Sequence, residues 1–459
     1  MRAGLALLFA LLTAQAVLAG WVNLTSPYWL DEYFTAGVAC QADVGAVVDS
    51  LRGDVHPPLF NLWVHGLFRL FGCDLLWLRL ANATLVAGAT IFFTLALRRR
   101  FGPAMAIGFL TVFAGSPVVW YYAFEGRSYA PQLAACLILT GAAMTGRWRL
   151  ALAAATLGAA LHFFAGYLFF LLAVLHLVFR GRPGLRGLSA FVAAGVIVAA
   201  LYAWNVIAGF EAAGRGQWVP PTSLTDLFGT VPALLYGDNL QKLLVVAGLA
   251  LLILRGGLRS GDLRGKALLF LGLFIAFVAA LFLASLIRPV FMPRYLVFLL
   301  PLGVAGTVLL FAQAAVTEGG RRAGLALLVL LALADINTGL HFKGELRHDT
   351  WQAVARTADC AATPCGFFFD GSALPALSDR QYDLMVNFRN GGSPGTMGRW
   401  QALRPPELEP WLRDHPGVPL VYFPAHGAAL DIVAVAARHG LGCRRPDTAQ
   451  TAVLCAPPS

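Results

Sequence analysis

Four clusters of ionisable residues interrupt an otherwise apolar chain, and each suits a piece of chemistry. Asp31-Glu32, just after Pro27-Tyr28-Trp29-Leu30, supplies a carboxylate able to take a proton from an attacking hydroxyl. An acidic pair also suits a helix start, so a helix cap is the alternative. His56, before Pro57-Pro58, is either an imidazole at a site or a solvated cap on a helix that proline begins. Glu125-Gly126-Arg127-Ser128-Tyr129 sets opposite charges two residues apart at a helix entrance. Arg288 and Arg294-Tyr295 offer cations to an anion, or anchors at the depth of lipid headgroups.

The elements that must hold these residues are membrane helices. Of the 459 residues, 58% are hydrophobic and only 13% charged, against about 45–50% and 25% in soluble domains. Long apolar runs recur from Leu5 to Leu340, and only a bilayer lets so many helices be apolar all round. The net charge of +10 comes from arginine clusters between those runs. That distribution excludes a nucleic-acid groove and sets membrane orientation instead.

Counting charges gives a polytopic α-helical protein with about eleven transmembrane helices. The crossings fall at about 4–20, 76–97, 103–121, 129–146, 150–164, 166–179, 188–208, 241–254, 267–287, 295–312 and 323–340. Arg2, Arg98-Arg99-Arg100, Arg147, Arg149, Arg180, Arg182, Arg186, Arg255, Arg259, Arg264, Lys266 and Arg321-Arg322 then share the inner side. The N-terminus lies inside and the C-terminus outside. Arg2 and the small residues Ala14, Ala16, Ala19 and Gly20 imitate a cleavable signal peptide, but the first helix is read as retained. Residues 21–74 form the first outer loop. Its stretch from His56 to Gly72 carries a polar stripe at Asn61, His65 and Arg69, which suits a helix lying in the outer interface.

From residue 341 to 459 the polarity is ordinary. Gly366–Asp370, Pro419–Phe423 and Thr451–Cys455 read as strands, and Trp351–Asp359 and Ala428–Gly440 as helices, of a small α/β domain outside the membrane. Of seven cysteines, only Cys136 falls within the membrane. The other six suit three disulfides in an oxidising compartment, with 40–73, 360–365 and 443–455 preferred among 15 pairings. A zinc site is the alternative, although no pair has CxxC spacing.

The order of the clusters carries more than any one of them. An Asp31-Glu32 pair after the first membrane helix is followed by His56-Pro57-Pro58-Leu59-Phe60, then Glu125-Gly126-Arg127-Ser128-Tyr129-Ala130 at a helix start, then Pro293-Arg294-Tyr295-Leu296. This order resembles that of the GT-C glycosyltransferases over residues 1–340. The nearest branch is the bacterial family-39-like set, relatives of protein O-mannosyltransferases, aminoarabinose transferase and lipid A core galacturonosyltransferases. The resemblance implies a polyprenyl-phosphate-linked sugar as donor and a hydroxyl of a lipid, glycan or protein as acceptor, meeting at the outer leaflet. It implies Asp31 as the base, with Glu32 beside it at the acceptor. His56, Glu125, Arg127, Tyr129, Arg294 and Tyr295 would lie near donor phosphate or sugar.

Residue chemistry agrees with that allocation. Glycosidases need two carboxylates because an alkoxide leaving group must be protonated. A lipid phosphate departs as a stable anion and needs cations, so one carboxylate and one or two arginines suffice. Attack opposite the phosphate inverts the anomeric carbon. No cofactor is expected; a divalent metal held by Asp31, Glu32 and Glu125 is the alternative. The lysine-poor, alanine- and arginine-rich composition suggests a bacterial cytoplasmic membrane. The rival functions are an oligosaccharide ligase, a flippase for lipid-linked sugars, whose charges should lie nearer the midplane, and a binding protein that has lost catalysis.

Overall fold

The computed structural model describes residues 2–26, 28, 30–51, 57–181, 184–213, 222–225, 227–228, 261–287, 289–314, 318–342, 365–369, 400–403, 405–423, 431–444 and 453–458. Within them the chain divides into two compact units. The first comprises Met1–Thr25, Arg79–Tyr202 and Val219–Lys343; the second comprises Ser26–Leu78, Ala203–Trp218 and Gly344–Ser459.

The first unit is built from α1 (Arg2–Thr25), most of α5 (Leu75–Phe101), α6 (Pro103–Gly115), α7 (Pro117–Phe124), α8 (Tyr129–Met144), α9 (Trp148–Leu161), α10 (Tyr167–Arg180), α11 (Leu185–Ala213) as far as Tyr202, α12 (Gly261–Ile287), α13 (Leu300–Ala314) and α14 (Glu318–Phe342). Every expected crossing coincides with a helix except that at 241–254, which lies outside the described residues. Among the described residues, four helices are long and apolar enough to span a bilayer, or five with the bent α6–α7 pair. The remaining apolar helices are shorter. On α5, Phe93 and Leu97 are fully buried while Ile91 and Leu95 are more than half exposed. A helix apolar on its exposed face as well as its packed one is solvated by lipid. The chain is a multi-pass membrane protein.

Small residues let these helices approach closely. A Cβ added at Gly306 of α13 would lie 3.0 Å from the Leu271 amide nitrogen and 3.1 Å from the Ala267 carbonyl, both backbone atoms of α12. Gly158 of α9 plays the same part against Ala135 of α8 and Leu168 of α10.

The crossing expected as one helix over 103–121 is in fact broken. Ser116 is extended, Pro117 starts a new helix, and α7 leaves α6 at 63°. A break at membrane depth orphans carbonyls, which cost several kcal/mol each unless partnered. Two side chains supply partners: the Trp120 indole donates to the Ala114 carbonyl at 2.6 Å, and the Gln15 amide of α1 donates to that of Gly115. The redirected α7 delivers the Glu125–Tyr129 turn.

In the second unit, α2 (Leu30–Ala39), α3 (Val44–Ser50) and α4 (Leu59–Phe71) form a helical cluster. Thirteen residues of α4 rise about 20 Å, too short to cross about 30 Å of hydrocarbon. The polar stripe is divided, with Arg69 exposed. Asn61 and His65 are buried, while Leu70 and Phe71 are exposed. The reason is local: His65 Nδ1–H donates to the Ala39 carbonyl at 2.8 Å, closing the end of α2. The Cys40–Cys73 disulfide then joins the ends of α2 and α4 covalently.

The same unit holds a five-stranded sheet of β1 (Cys365–Phe369), β2 (Trp400–Leu403), β3 (Leu420–Phe423), β4 (Gly442–Arg444) and β5 (Val453–Ala456), in the order β2-β1-β3-β5-β4. β1 runs parallel to β2 and β3, and β5 antiparallel to β3 and β4. The helices α15 (Pro405–Asp414) and α16 (Ile432–Arg438) accompany it. β2, α15 and β4 were not expected, being short or proline-rich. The expected helix from Ala428 starts later among the described residues, because Asp431 caps it by accepting the Ala434 N–H at 3.0 Å. Cys443 and Cys455 face each other in register and are bonded. Cys360, of the expected 360–365 pair, and the helix at Trp351–Asp359 lie outside the described residues.

Candidate active site

The Glu125–Tyr129 turn is fixed from below by Asn82 of α5. Its amide donates to the carbonyls of Glu125, at 2.5 Å, and Arg127, at 3.3 Å. Asn82 is fully buried. One turn earlier on α5, the buried Arg79 guanidinium donates to the Asn23 carbonyl in the last turn of α1, at 2.8 Å. A cation suits a helix C-terminus, where carbonyls lack intrahelical partners. The N-terminal part of α5 therefore holds both the end of α1 and the charged turn.

Glu125, Arg127, Ser128 and Tyr129 are all buried. Gln132 donates to the Ser128 hydroxyl at 3.2 Å, stiffening the start of α8. The Arg294-Tyr295 motif lies in a 3-10 segment, Pro293–Leu299, that follows α12. Buried Ser285 shapes the approach to it, its hydroxyl oxygen accepting the Val290 and Phe291 N–H groups at 2.9 and 3.0 Å. The same hydroxyl bonds that of Thr222. The Arg294 guanidinium lies 5.6 Å from the centre of the Tyr295 ring, a cation–π contact. The Tyr129 phenol lies within electrostatic range of Arg294, Tyr295, Arg127 and Glu125, and its ring centre is 6.5 Å from that of Tyr295. Tyr122 joins them, 5.7 Å from Tyr129 edge to face. The structure thus brings Glu125, Arg127, Tyr129, Arg294 and Tyr295 into one cluster: two guanidinium groups, a carboxylate and phenol hydroxyls amid aromatic rings.

Asp31 and Glu32 belong to the second unit and occupy the first turn of α2, where the helix dipole favours negative charge. Glu32 is fully buried and Asp31 half-buried. The Thr35 hydroxyl donates to the Asp31 carbonyl at 3.0 Å, and Tyr33 packs edge to face on Tyr28. Asp31 is the more accessible of the two carboxylates. His56 and Arg288 lie outside the described residues. Among the described residues, no three His, Cys, Asp or Glu side chains group as metal ligands.

No protein-family model and no curated protein matches the sequence. Solved structures do match. ArnT from Cupriavidus metallidurans in the apo state covers 98% of this chain and 97% of its own, at TM-score 0.59 and 14% identity. The ArnT structure bound to undecaprenyl phosphate matches with the same figures. The chain has the fold of these ArnT structures, as the resemblance to GT-C enzymes implied. An Archaeoglobus fulgidus oligosaccharyltransferase, in complex with Zn and sulfate, is more distant, at TM-score 0.42 and 12% identity over 90% of this chain and 68% of that one.

Within this fold the sequence motifs do not name every polar group of the cluster. His162, placed by the sequence inside a crossing, instead follows the last residue of α9 in extended backbone. Its ring is 5.9 Å from that of Tyr129 and 5.5 Å from that of Tyr295. Asn82, Arg79 and Ser285 were likewise passed over. The signal available for all four is the same: a strongly polar side chain close to the end of an apolar helix.

Proposed function

We propose that this chain is an inverting glycosyltransferase that moves a sugar from a polyprenyl-phosphate carrier to an acceptor hydroxyl on the outer face of a bacterial cytoplasmic membrane. The observation that carries the reading is the cluster of buried Arg127, Glu125, Tyr129 and Tyr295 with part-buried Arg294 at one end of a helical membrane bundle. Two cations flanked by phenols suit a sugar phosphate whose leaving group departs as an anion. The likeness to an ArnT solved with undecaprenyl phosphate supports the same donor class.

In the proposed reaction the Asp31 carboxylate takes the acceptor proton while the acceptor oxygen bonds to the anomeric carbon. The bond from that carbon to the phosphate oxygen breaks on the opposite side, and its electron pair stays on polyprenyl phosphate. Arg127 and Arg294 hold the phosphate; Tyr129 and Tyr295 line the sugar; Glu32 and His56 complete the acceptor and donor sides. The lipid tail stays in the bilayer throughout, which explains a site at the ends of membrane helices. The base is asked for about 10²–10⁴-fold, and no metal is needed.

The test compares envelope glycolipids and glycoproteins by mass spectrometry in wild-type, deletion and Asp31→Asn strains. Loss of one sugar from one glycoconjugate in the deletion, persisting in Asp31→Asn at normal protein level, supports transfer and identifies sugar and acceptor together. A wild-type profile restored by Asp31→Asn removes Asp31 as base and favours a flippase.

A further inference from the structure

His162 is a buried imidazole to which the proposed reaction has not yet given a part. It is 2% exposed and sits where α9 ends, its backbone extended at φ −164 and ψ 145. Contacts with described residues hold it in place. The Phe164 N–H donates to its Nδ1 at 3.3 Å, and the Tyr202 hydroxyl donates to its carbonyl at 3.1 Å. Its ring is also flanked by those of Tyr129, Tyr295 and Phe164, with Phe164 and Tyr295 themselves 4.7 Å apart.

These contacts decide the chemistry of the ring. A neutral imidazole has one N–H, and an Nδ1 that accepts from Phe164 leaves the proton on Nε2. The ring is thus held as an oriented N–H donor, in contact with the two tyrosines that also feel Arg294. A histidine needed only for packing would be served as well by phenylalanine, which already fills the neighbouring position 164.

We infer that His162 is a ligand of the donor phosphate, its Nε2–H bonding a phosphate oxygen beside Arg127 and Arg294. This role rests on the transfer reading above. As the sugar leaves, the phosphodiester, with one negative charge, becomes a monoester with about two, the second ionisation falling near pH 6. An N–H donor fixed before the reaction binds the product phosphate more tightly than the diester and stabilises the developing charge without moving.

The experiment measures binding of undecaprenyl phosphate, and of undecaprenol as the control, to the full chain in lipid nanodiscs, by native mass spectrometry. Wild type, His162→Phe and His162→Gln are compared, since the Gln amide can present an N–H near the position of Nε2. Wild type is expected to prefer the phosphate. His162→Phe should lose about 10–100-fold of that preference, the range for a hydrogen bond to a charged group, with undecaprenol binding unchanged. His162→Gln should restore most of it. If His162→Phe keeps the wild-type preference, or weakens both lipids equally, the role of His162 is overturned and transfer stands. If wild type itself does not distinguish the two lipids, the donor class and this role fall together.

Discussion

Asn82 directs two amide hydrogens at two carbonyls of one turn, so a single side chain sets how Glu125 and Arg127 are presented. Replacing it with alanine should leave the protein folded and lower kcat/KM for sugar transfer about tenfold, because two buried carbonyls lose their donor. Aspartate, nearly the same shape, should be worse than alanine, since its carboxylate would face both carbonyls. The check is transfer by the purified variants at matched protein level; an aspartate variant better than alanine would contradict this geometry. At this scale the sequence was half legible. Glu125, Arg127 and Arg294 stood out because each charge interrupts an apolar run at a cost of about 2.5–3.5 kcal/mol near a helix centre. Asn82 and His162 did not, because one neutral polar residue in a membrane helix is common and only its partners give it meaning. Those partners are 43 and 45 residues away for Asn82, beyond any local pattern.

At the scale of elements, the apolar runs announced nearly every helix, and the 3.6-residue period carried no further information in helices apolar all round. Close approach between them was therefore illegible. Gly306 and Gly272 look alike in the sequence, yet an added methyl meets α12 backbone at the first and open space at the second. Gly306→Ala should cost about 1–3 kcal/mol by overpacking, while Gly272→Ala should be neutral or stabilising by up to about 1 kcal/mol. Thermal aggregation of the two variants in detergent distinguishes them. The 63° turn between α6 and α7 had a local sign, Ser116-Pro117, but a proline in a membrane helix is tolerated often enough that the sign is weak. The carbonyls freed at the turn are served by Trp120 of α7 itself and by Gln15 from another helix.

For the whole molecule, orientation and redox state constrain one another. Two of the three expected disulfides are formed, and both join residues assigned to the outer side by charge counting. Reporter fusions should place residue 100 inside and residue 459 outside; the reverse would invert every assignment together. Cys40→Ser should destabilise the second unit by about 3–4 kcal/mol on the chain-entropy view of a 33-residue loop. Transfer should fall with it, since α2 carries Asp31. Thermal unfolding and activity of Cys40→Ser, Cys73→Ser and the double variant provide the check, and the three should behave alike.

The Gln15 contact also has a history in time. Gly115 lies 100 residues further along the chain, and synthesis at about 5–20 residues per second separates the two by roughly 5–20 s. During that interval α1 has entered the bilayer and the carbonyl it serves has not been made. α1 can meet its native neighbours only once α6, α7 and, later still, α14 have been made. α1 is thus made well before the carbonyl that its amide partners.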